Sequence, residues 1–493
     1  MANQHPIPFN NTFARMPEHF FSLQAPTPVS KPAVLAVNRT LAESLGIDPD
    51  WLGSAGGIAT VAGNTVPAGA EPLASVYAGH QFGSYNPQLG DGRAILLGEV
   101  ATASGHRYDI QLKGSGPTPY SRGGDGRSPL GPVVREYIIS EAMHALGVPT
   151  TRALAAVTTG DQVVREKFEP GAILARVASS HIRIGTFQYF SAQKNSDALS
   201  ALVDYTLARH FSDAVGSGND AQALLLCVIQ AQAKLIAHWQ LLGFVHGVMN
   251  TDNMLLCGET VDYGPCAFME SFHPDTVFSS IDQGRRYAYR NQPGIAQWNL
   301  ACLAQSLLPL LADTEDAAVA IAQDAVDQFP NLFMEAHNRG LSRKLGLLEA
   351  TSEDTALIED LFGLMADAKA DFTLTFRYLA DQAAPDSDSA KVGELYTPPQ
   401  SLTPWLQRWQ ERLAVDNVSP TDRQESMYRA NPVFIPRNHL VAQAISAAEN
   451  DDLAPFQALI ARTAQPFVYD EADKLLATPA QAGEEVRQTF CGT

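Results

Sequence analysis

The sequence predicts an α+β fold in two lobes: a small antiparallel β lobe, then a larger helical lobe, with helical extensions at both ends of the chain. Three observations predict this. Short apolar segments separated by turn residues crowd residues 93–177, as expected for antiparallel strands. Apolar residues at steps of three and four between residues 219 and 243 indicate a helix of about two dozen residues. Acidic amphipathic segments then continue through most of the remaining chain.

Composition excludes several classes of protein. The 493 residues carry 34 basic and 53 acidic side chains, a net charge of −19, so a nucleic-acid partner, which requires a positive surface, is not expected. No stretch approaches the roughly eighteen apolar residues of a membrane span, and the start lacks the pattern of a signal peptide. We therefore expect no membrane partner and a cytoplasmic location. A monomer is one possible state, because the sequence does not determine the oligomeric state. The five cysteines show no C-x-x-C spacing, which speaks against a disulfide framework or a zinc ribbon.

Four segments are predicted along the chain. Residues 1–75 form an N-terminal arm and small module, with one helix over 38–46 and a loop over 53–70. Residues 76–190 form the small lobe, residues 191–311 the core of the helical lobe, and residues 312–493 a helical extension.

A lysine and a glutamate are the first candidate site residues. Residues 93–100 and 107–113 predict a β-hairpin, and strand alternation directs Lys113 away from the apolar face that holds Ile110 and Leu112. The next predicted helix, from Pro132 to Gly147, carries Glu136 near its start. A strand lysine followed by a helix glutamate is the order of the ion pair that orients the phosphate-binding lysine of protein kinases. Taken alone, a solvated lysine and a glutamate that complements the helix dipole explain them equally well.

A glycine-rich loop and two arginines add phosphate-binding chemistry. The loop, residues 114–131, contains six glycines, and such loops let backbone N–H groups approach phosphate oxygens. Three short β segments, 153–157, 162–166 and 172–177, follow the predicted helix and complete the small lobe. Arg176 and Arg183 then flank a Ser-Ser-His turn and can act as bidentate phosphate ligands.

The central motif is His246-Gly-Val-Met-Asn-Thr-Asp-Asn253, followed by Asp262-Tyr-Gly264. His, Asn and the second Asp fall in register with the kinase patterns H-R-D-x-x-x-x-N and D-F-G. Val248 occupies the place of the kinase catalytic base and cannot accept a proton. Asn253 and Asp262 are hard oxygen ligands suited to Mg²⁺. Asp252 becomes the candidate base.

Six ordered motifs give the chain a close resemblance to the selenoprotein O family over nearly its whole length. They are Tyr77-Ala-Gly-His-Gln-Phe-Gly, Leu89-Gly-Asp-Gly-Arg-Ala, Gln111-Leu-Lys-Gly-Ser-Gly, His246-Gly-Val-Met-Asn-Thr-Asp-Asn, Asp262-Tyr-Gly-Pro and Asn431-Pro-Val-Phe-Ile-Pro-Arg-Asn-His.

The resemblance implies a protein-kinase-like, pseudokinase fold that transfers AMP from ATP to Ser, Thr or Tyr hydroxyls of other proteins. It implies that ATP is held inverted relative to kinases, with Mg²⁺ or Mn²⁺ bound by Asn253 and Asp262, and that Asp252 accepts the proton. Carried over to this sequence, the nucleotide-site residues are Gly90, Gly92, Arg93, Lys113, Asp125, Gly126, Arg176, Arg183 and Asp262, with Glu136 orienting Lys113.

Several alternatives stay open. UTP in place of ATP, an atypical kinase with a rescued base, and a non-catalytic ATP-binding pseudokinase are each compatible with the motifs. Cys491, third from the C-terminus, stands where the resemblance places the selenocysteine of eukaryotic members. Under oxidation it could pair with another cysteine and restrain the segment that contains Cys266, whereas an unpaired tail thiol is the simpler interpretation.

Overall fold

The structure is a computed structural model that describes residues 6–216, 218–348, 351–384 and 390–490. All strands of its main sheet lie between Phe21 and Ala178, and the prediction of an α+β fold with an antiparallel sheet and many helices is confirmed. The strands are β1 Phe21–Leu23, β2 Ala33–Val37, β3 Leu73–Ser75, β4 Gly79–Gln81, β5 Ser84–Asn86, β6 Ala94–Ala101, β7 Arg107–Lys113, β8 Ser128–Pro129, β9 Arg152–Val164, β10 Phe168–Ala178, β11 Phe244–Val245 and β12 Ala267–Phe268.

Eight of these strands form one sheet in the order β1-β3-β6-β7-β10-β9-β2, with β8 paired to β10. All the pairings are antiparallel. The register places Lys113 opposite Ala94 on β6 and Leu174 on β10, and it places Gln111 opposite Arg176. The central strands β7 and β10 therefore present polar side chains side by side on one face.

The described residues also contain eighteen α-helices. They are α1 Arg39–Ser44, α2 Pro49–Leu52, α3 Ala55–Val61, α4 Leu130–Ala145, α5 Ile184–Ala192, α6 Ser196–His210, α7 Asp220–Leu242, α8 Gln292–Leu311, α9 Glu315–Val326, α10 Phe329–Leu345, α11 Thr355–Ala368, α12 Phe372–Asp381, α13 Ala390–Glu394, α14 Thr403–Leu413, α15 Pro420–Ala430, α16 Asn438–Ala448, α17 Ala454–Thr463 and α18 Lys474–Ala477.

The two faces of the sheet have separate apolar cores. Ile110 and Leu112 of β7 pack with residues of α1, α2 and α3 on one face. On the other face α4 packs on the sheet through Val134 and Ile138, and α16 and α17 cover α4 in turn through residues such as Phe456. Strand alternation thus sends the polar side chains of β7 toward the face that carries α4.

Helix α7 delivers the chain to the central motif. Asn219 caps its first turn by accepting a hydrogen bond from the N–H of Gln222, and Gly243, at φ +67, ends it in the left-handed conformation. By length and composition α7 could cross a membrane, which is weak evidence, and 56% of its most apolar window is buried inside the protein. Its apolar stripe packs in the largest core of the described chain, as expected for a core helix.

Several element predictions needed correction. The predicted loop over 53–70 contains helix α3, which Ser54 caps. Two of the three β segments predicted after α4 are one long strand, β9, that bends at irregular pairings with β10. Strands β1, β2 and β3 lie before residue 76 and belong to the main sheet, so the expected boundary at 75 falls inside that sheet.

Candidate active site

Asp262 lies at the centre of a cluster of three cations. Its Oδ1 accepts hydrogen bonds from Lys113 Nζ at 2.7 Å and Arg176 Nη1 at 2.8 Å, and its Oδ2 accepts one from Arg183 Nη1 at 3.2 Å. Burial by itself would raise the pKa of this carboxyl, but the three cations hold that pKa well below its usual value. Asp262 is therefore an anion throughout the physiological range.

Lys113 and Glu136 meet as the resemblance implies. Strand β7 and helix α4 bring Lys113 Nζ to 2.6 Å from Glu136 Oε2, and both side chains are buried. The second carboxylate oxygen, Glu136 Oε1, lies 3.2 Å from Arg176 Nη1. Glu136 consequently orients two of the three cations that contact Asp262.

Polar residues that the sequence analysis did not select complete the cluster. Arg176 Nε donates to Gln111 Oε1 at 2.7 Å, and Gln111 Nε2 donates to Asp91 Oδ2 at 3.2 Å. Asp91 also lies 3.8 Å from Arg183, whose guanidinium sits 4.7 Å from the centre of the Tyr77 ring. Gln111 shares its strand face with Lys113, and Asp91 lies inside the Leu-Gly-Asp-Gly-Arg motif. These two features of the sequence could have identified Gln111 and Asp91 as site residues.

Asp252 lies beside the cluster, in a short 3-10 turn over Thr251–Asn253. Its backbone carbonyl accepts a hydrogen bond from Arg183 Nη1 at 2.6 Å, and its Oδ2 accepts one from Gln81 Nε2 at 3.0 Å. Its Oδ1 is buried and has no hydrogen-bond partner in the described part of the chain. Burial raises the pKa of Asp252 to about 6. A carboxylate with that pKa and an unused oxygen is suited to accept a proton near neutral pH.

His246 has a structural role in the loop. Its ring is buried and stacks on Trp239 at 5.2 Å, and its Nε2 donates to the carbonyl of Val261 at 2.9 Å. Burial lowers the pKa of His246, so the ring is neutral. The hydrogen bond ties the loop that carries Asp252 to the residue just before Asp262, and it thereby sets the spacing between the two carboxylates.

The two expected metal ligands are compatible with a hard cation but do not form a complete site. Asn253 Nδ2 donates to the carbonyl of Val248 at 3.0 Å, which commits the amide nitrogen and leaves the amide oxygen as the possible ligand atom. Among the described residues, no group of three or more His, Cys, Asp or Glu side chains could hold a metal ion. A metal at Asn253 and Asp262 would have to take its other ligands from water or from phosphate, as Mg²⁺ commonly does.

The remaining nucleotide-site candidates fall in two places. Gly90 and Gly92 flank Asp91, and Gly90 adopts φ +79 against the ring of Tyr120, where a Cβ would lie 2.4 Å from the ring. Arg93, half-buried, follows them directly.

Asp125 and Gly126 lie in the glycine-rich loop. Asp125 pairs with Arg165 at 2.9 Å instead of with the Asp262 cluster. Gly126, at φ +64, packs against the backbone of Gly116, where a Cβ would lie 2.0 Å from the carbonyl oxygen. These two residues therefore shape the glycine-rich loop.

Cys266 is buried four residues after Asp262, with its Sγ 3.4 Å from the carbonyl oxygen of Tyr263. Cys491 lies outside the described residues. The described tail runs beside the segment that contains Cys266, because Thr489 Oγ1 donates to the carbonyl of Pro265 at 2.6 Å. A disulfide between Cys491 and Cys266 stays a prediction.

A strand lysine paired with a helix glutamate, beside a half-buried aspartate that follows the catalytic-loop motif, is how kinase-type transferases hold the phosphates of a nucleotide. The cluster around Asp262 thus defines a candidate nucleotide-dependent transferase.

Comparison with known proteins gives the family. The family model described as Protein adenylyltransferase SelO matches residues 4–464, so the chain belongs to that family. Relatives named Protein nucleotidyltransferase YdiU include one from Bradyrhizobium sp. (strain ORS 278), 55% identical over 489 residues, which is 99% of both chains. Another, from Rhizobium meliloti (strain 1021), is 53% identical over 486 residues, covering 98% of this chain and 99% of the relative. The chain is a protein nucleotidyltransferase, and its substrates are a nucleotide and a protein.

Proposed function

We propose that this enzyme transfers AMP from ATP to Ser, Thr or Tyr hydroxyls of proteins and releases pyrophosphate. The observation that carries the proposal is the cluster of Lys113, Arg176 and Arg183 around Asp262. All three cations are buried, and they converge on Asp262, which is the most exposed of the three carboxylates that they contact. They are suited to a polyanion such as the triphosphate of a nucleotide.

In the proposed reaction the substrate hydroxyl oxygen forms a bond to the α-phosphorus. The bond from that phosphorus to the oxygen bridging to the β-phosphate breaks, and pyrophosphate leaves with the electron pair. Asp252, through its unpaired Oδ1, accepts the hydroxyl proton. Lys113, Arg176 and Arg183 stabilise the charge that develops on the leaving pyrophosphate, which requires the inverted placement of ATP relative to kinases.

We further propose that Mg²⁺ or Mn²⁺ is held by Asp262 and Asn253 together with phosphate oxygens, and that it supplies charge neutralisation on the nucleotide. The triphosphate and Asp262 compete for the same three cations. When phosphate oxygens take up those cations, Asp262 becomes available as a metal ligand. The sheet region and the helical region would then act as the two lobes of a kinase-like fold, with the nucleotide between them.

The test is mass spectrometry of the purified protein and of candidate substrate proteins after incubation with ATP or UTP and with Mg²⁺ or Mn²⁺. We expect modification by the mass of AMP with ATP, and its loss in Asp262→Asn. The matched control is Asp204→Asn, an exposed carboxylate on α6. Addition of a phosphate mass would restore the kinase alternative. Preferential modification by the mass of UMP would identify UTP, and not ATP, as the nucleotide substrate. Nucleotide binding without any modification would favour the non-catalytic pseudokinase.

A further inference from the structure

A cavity separate from the Asp262 cluster lies among the helices that follow the main sheet. Its volume is about 470 Å³, and residues of α7, α10 and α15 line it together with Leu146 and Phe467. None of its lining residues belongs to the active site described above. We call it the basic cavity, because its lining includes Lys234, Arg339, Arg343, Lys344 and Arg429.

The charge of this cavity is unusual for the protein. Five of its fifteen lining residues are Lys or Arg and none is Asp or Glu, although the whole chain has a net charge of −19. Arg339 and Arg429 pair with glutamates one helical turn away. In the described ranges, Lys234, Arg343 and Lys344 form no ion pair. The cavity therefore keeps an uncompensated positive potential.

Lys344, in the lining of the basic cavity, is buried without an anionic partner among the described residues. It is only 4% exposed, and its ammonium lies 4.3 Å from the centre of the Phe376 ring and 5.9 Å from that of Phe372. Burial lowers the pKa of Lys344 to about 7. Lysines are rarely buried without an anionic partner, because desolvation of the ammonium is costly. Basic residues near the end of α10 do complement the helix dipole, but exposed Arg343 serves that purpose without burial.

We infer that the basic cavity binds a small organic anion, with a phosphate or carboxylate group held by Lys344, Arg343 and Lys234. An apolar part of the ligand would rest on the apolar residues of the lining, which include Leu241 and Phe467. The volume falls within the range of pockets that take small molecules.

The experiment is amide hydrogen exchange with the full-length protein, titrated with inorganic phosphate and with citrate at constant ionic strength set by chloride. The two probes distinguish a phosphate-bearing ligand from a carboxylate one. Peptides from 336–347 and 424–431 report on the basic cavity, whereas peptides around Asp262 report separately on phosphate bound at the active site. We expect saturable protection of the cavity peptides by at least one of the two anions.

Lys344→Met keeps the length and apolar stem of the side chain and removes its charge, so it should fold. We expect this substitution to raise the apparent dissociation constant of the anion, measured from protection of the cavity peptides, by about tenfold or more, as for loss of a charge-assisted hydrogen bond. Arg343→Gln should raise this constant less. The control is Lys474→Met, an exposed lysine on α18. If neither anion protects the cavity peptides, or if Lys344→Met leaves the protection unchanged, the inference is wrong.

Discussion

At the scale of single residues, the site depends on two carboxylates whose surroundings act in opposite directions. Asp262 sits among three cations that keep it ionised, whereas Asp252 is buried with one oxygen unpaired and has its pKa raised to about 6. Asp262 also adopts φ +64, a left-handed conformation that a non-glycine residue rarely takes. Such strain costs on the order of 1–3 kcal/mol, and the ion pairs of the cluster can offset it.

The pKa of Asp252 leads to a prediction about pH. If Asp252 is the base, the rate of nucleotide transfer should rise with pH up to about 6 and then level off, because only the ionised carboxylate accepts a proton. Asp252→Asn should lower the rate by about 10²–10⁴-fold and remove this dependence. Steady-state rates between pH 5 and 8 would check this, with nucleotide affinity measured separately. An unchanged pH profile in Asp252→Asn would assign the proton to another acceptor.

At the scale of elements, the hairpin β4–β5 supports the loop that carries Asp252. The backbone N–H of His80 donates to Thr251 Oγ1 at 2.7 Å, and that of Phe82 donates to Asn250 Oδ1 at 3.0 Å. Gln81 from the same hairpin binds Asp252 directly. Glycine at position 79 allows this close approach, since a Cβ there would lie 2.6 Å from Asp252 Oδ1.

Gly79→Ala should therefore displace the Asp252 carboxylate and lower the rate of transfer by at least about tenfold, with a stability loss of about 1–3 kcal/mol from overpacking. The matched control is Gly363→Ala in helix α11, where nothing lies within 4 Å of the new methyl group. That change should leave activity intact and stabilise the helix by about 0.5–1 kcal/mol. Rates and urea unfolding of both variants test the pair. Equal activity of the two would show that the hairpin does not position Asp252.

At the scale of the whole molecule, the C-terminal region returns to the active-site elements. Helices α16 and α17 pack on α4, the helix that carries Glu136. The Asn431–His439 motif anchors this return. Arg437 is fully buried and pairs with Asp371 at 2.8 Å and Glu270 at 3.2 Å, while Asn438 Nδ2 donates to the carbonyl of Phe268 on β12 at 3.0 Å. The motif thus fixes the segment that follows Asp262.

Removal of this anchor should be costly. Arg437→Leu leaves buried Asp371 and partly buried Glu270 without their cation, so we expect a loss of about 3–5 kcal/mol in the free energy of unfolding. Arg408→Leu is the matched control, because Arg408 pairs with Asp360 at 2.8 Å with both side chains about half exposed. Arg408→Leu should lower the free energy of unfolding by only about 0–1 kcal/mol. Urea denaturation compares the two, and similar losses would contradict a structural role for the Asn431–His439 motif.

Lys344 provides a stability test that does not depend on activity. The lysine should stay protonated up to its ordinary pKa in the unfolded chain but only to about pH 7 in the folded protein. Between these values the unfolded state binds more protons, so folding stability from this group rises with pH. Lys344→Met should therefore stabilise the protein by about a few kcal/mol below pH 7. This difference in stability should shrink as the pH approaches about 10. Thermal unfolding in chloride buffers from pH 6 to 9 measures the difference, and a constant difference would contradict it.

Local patterns in the sequence determined a large part of this protein. Helix α7 with its Asn219 cap and Gly243 end, the hairpin of β6 and β7, and the opposite faces of Leu112 and Lys113 follow from periodicity and turn chemistry, which act within a few residues. The family motifs pointed to Lys113, Glu136, Arg176, Arg183 and Asp262, which the structure brings into one cluster.

Other features depend on contacts between residues that are distant in the chain, and only the tertiary structure decided them. Gln111 and Asp91 join the cluster because β7 pairs with β10 and the Gly90–Gly92 turn folds beside it. Strands β1, β2 and β3 joined the main sheet, although the sequence placed them in a separate module. From the sequence alone, Lys344 would be taken for a solvent-exposed helix residue. It is buried because α12 packs on α10. Burial and charge pairing arise from long-range packing, which the spacing of neighbouring residues does not encode.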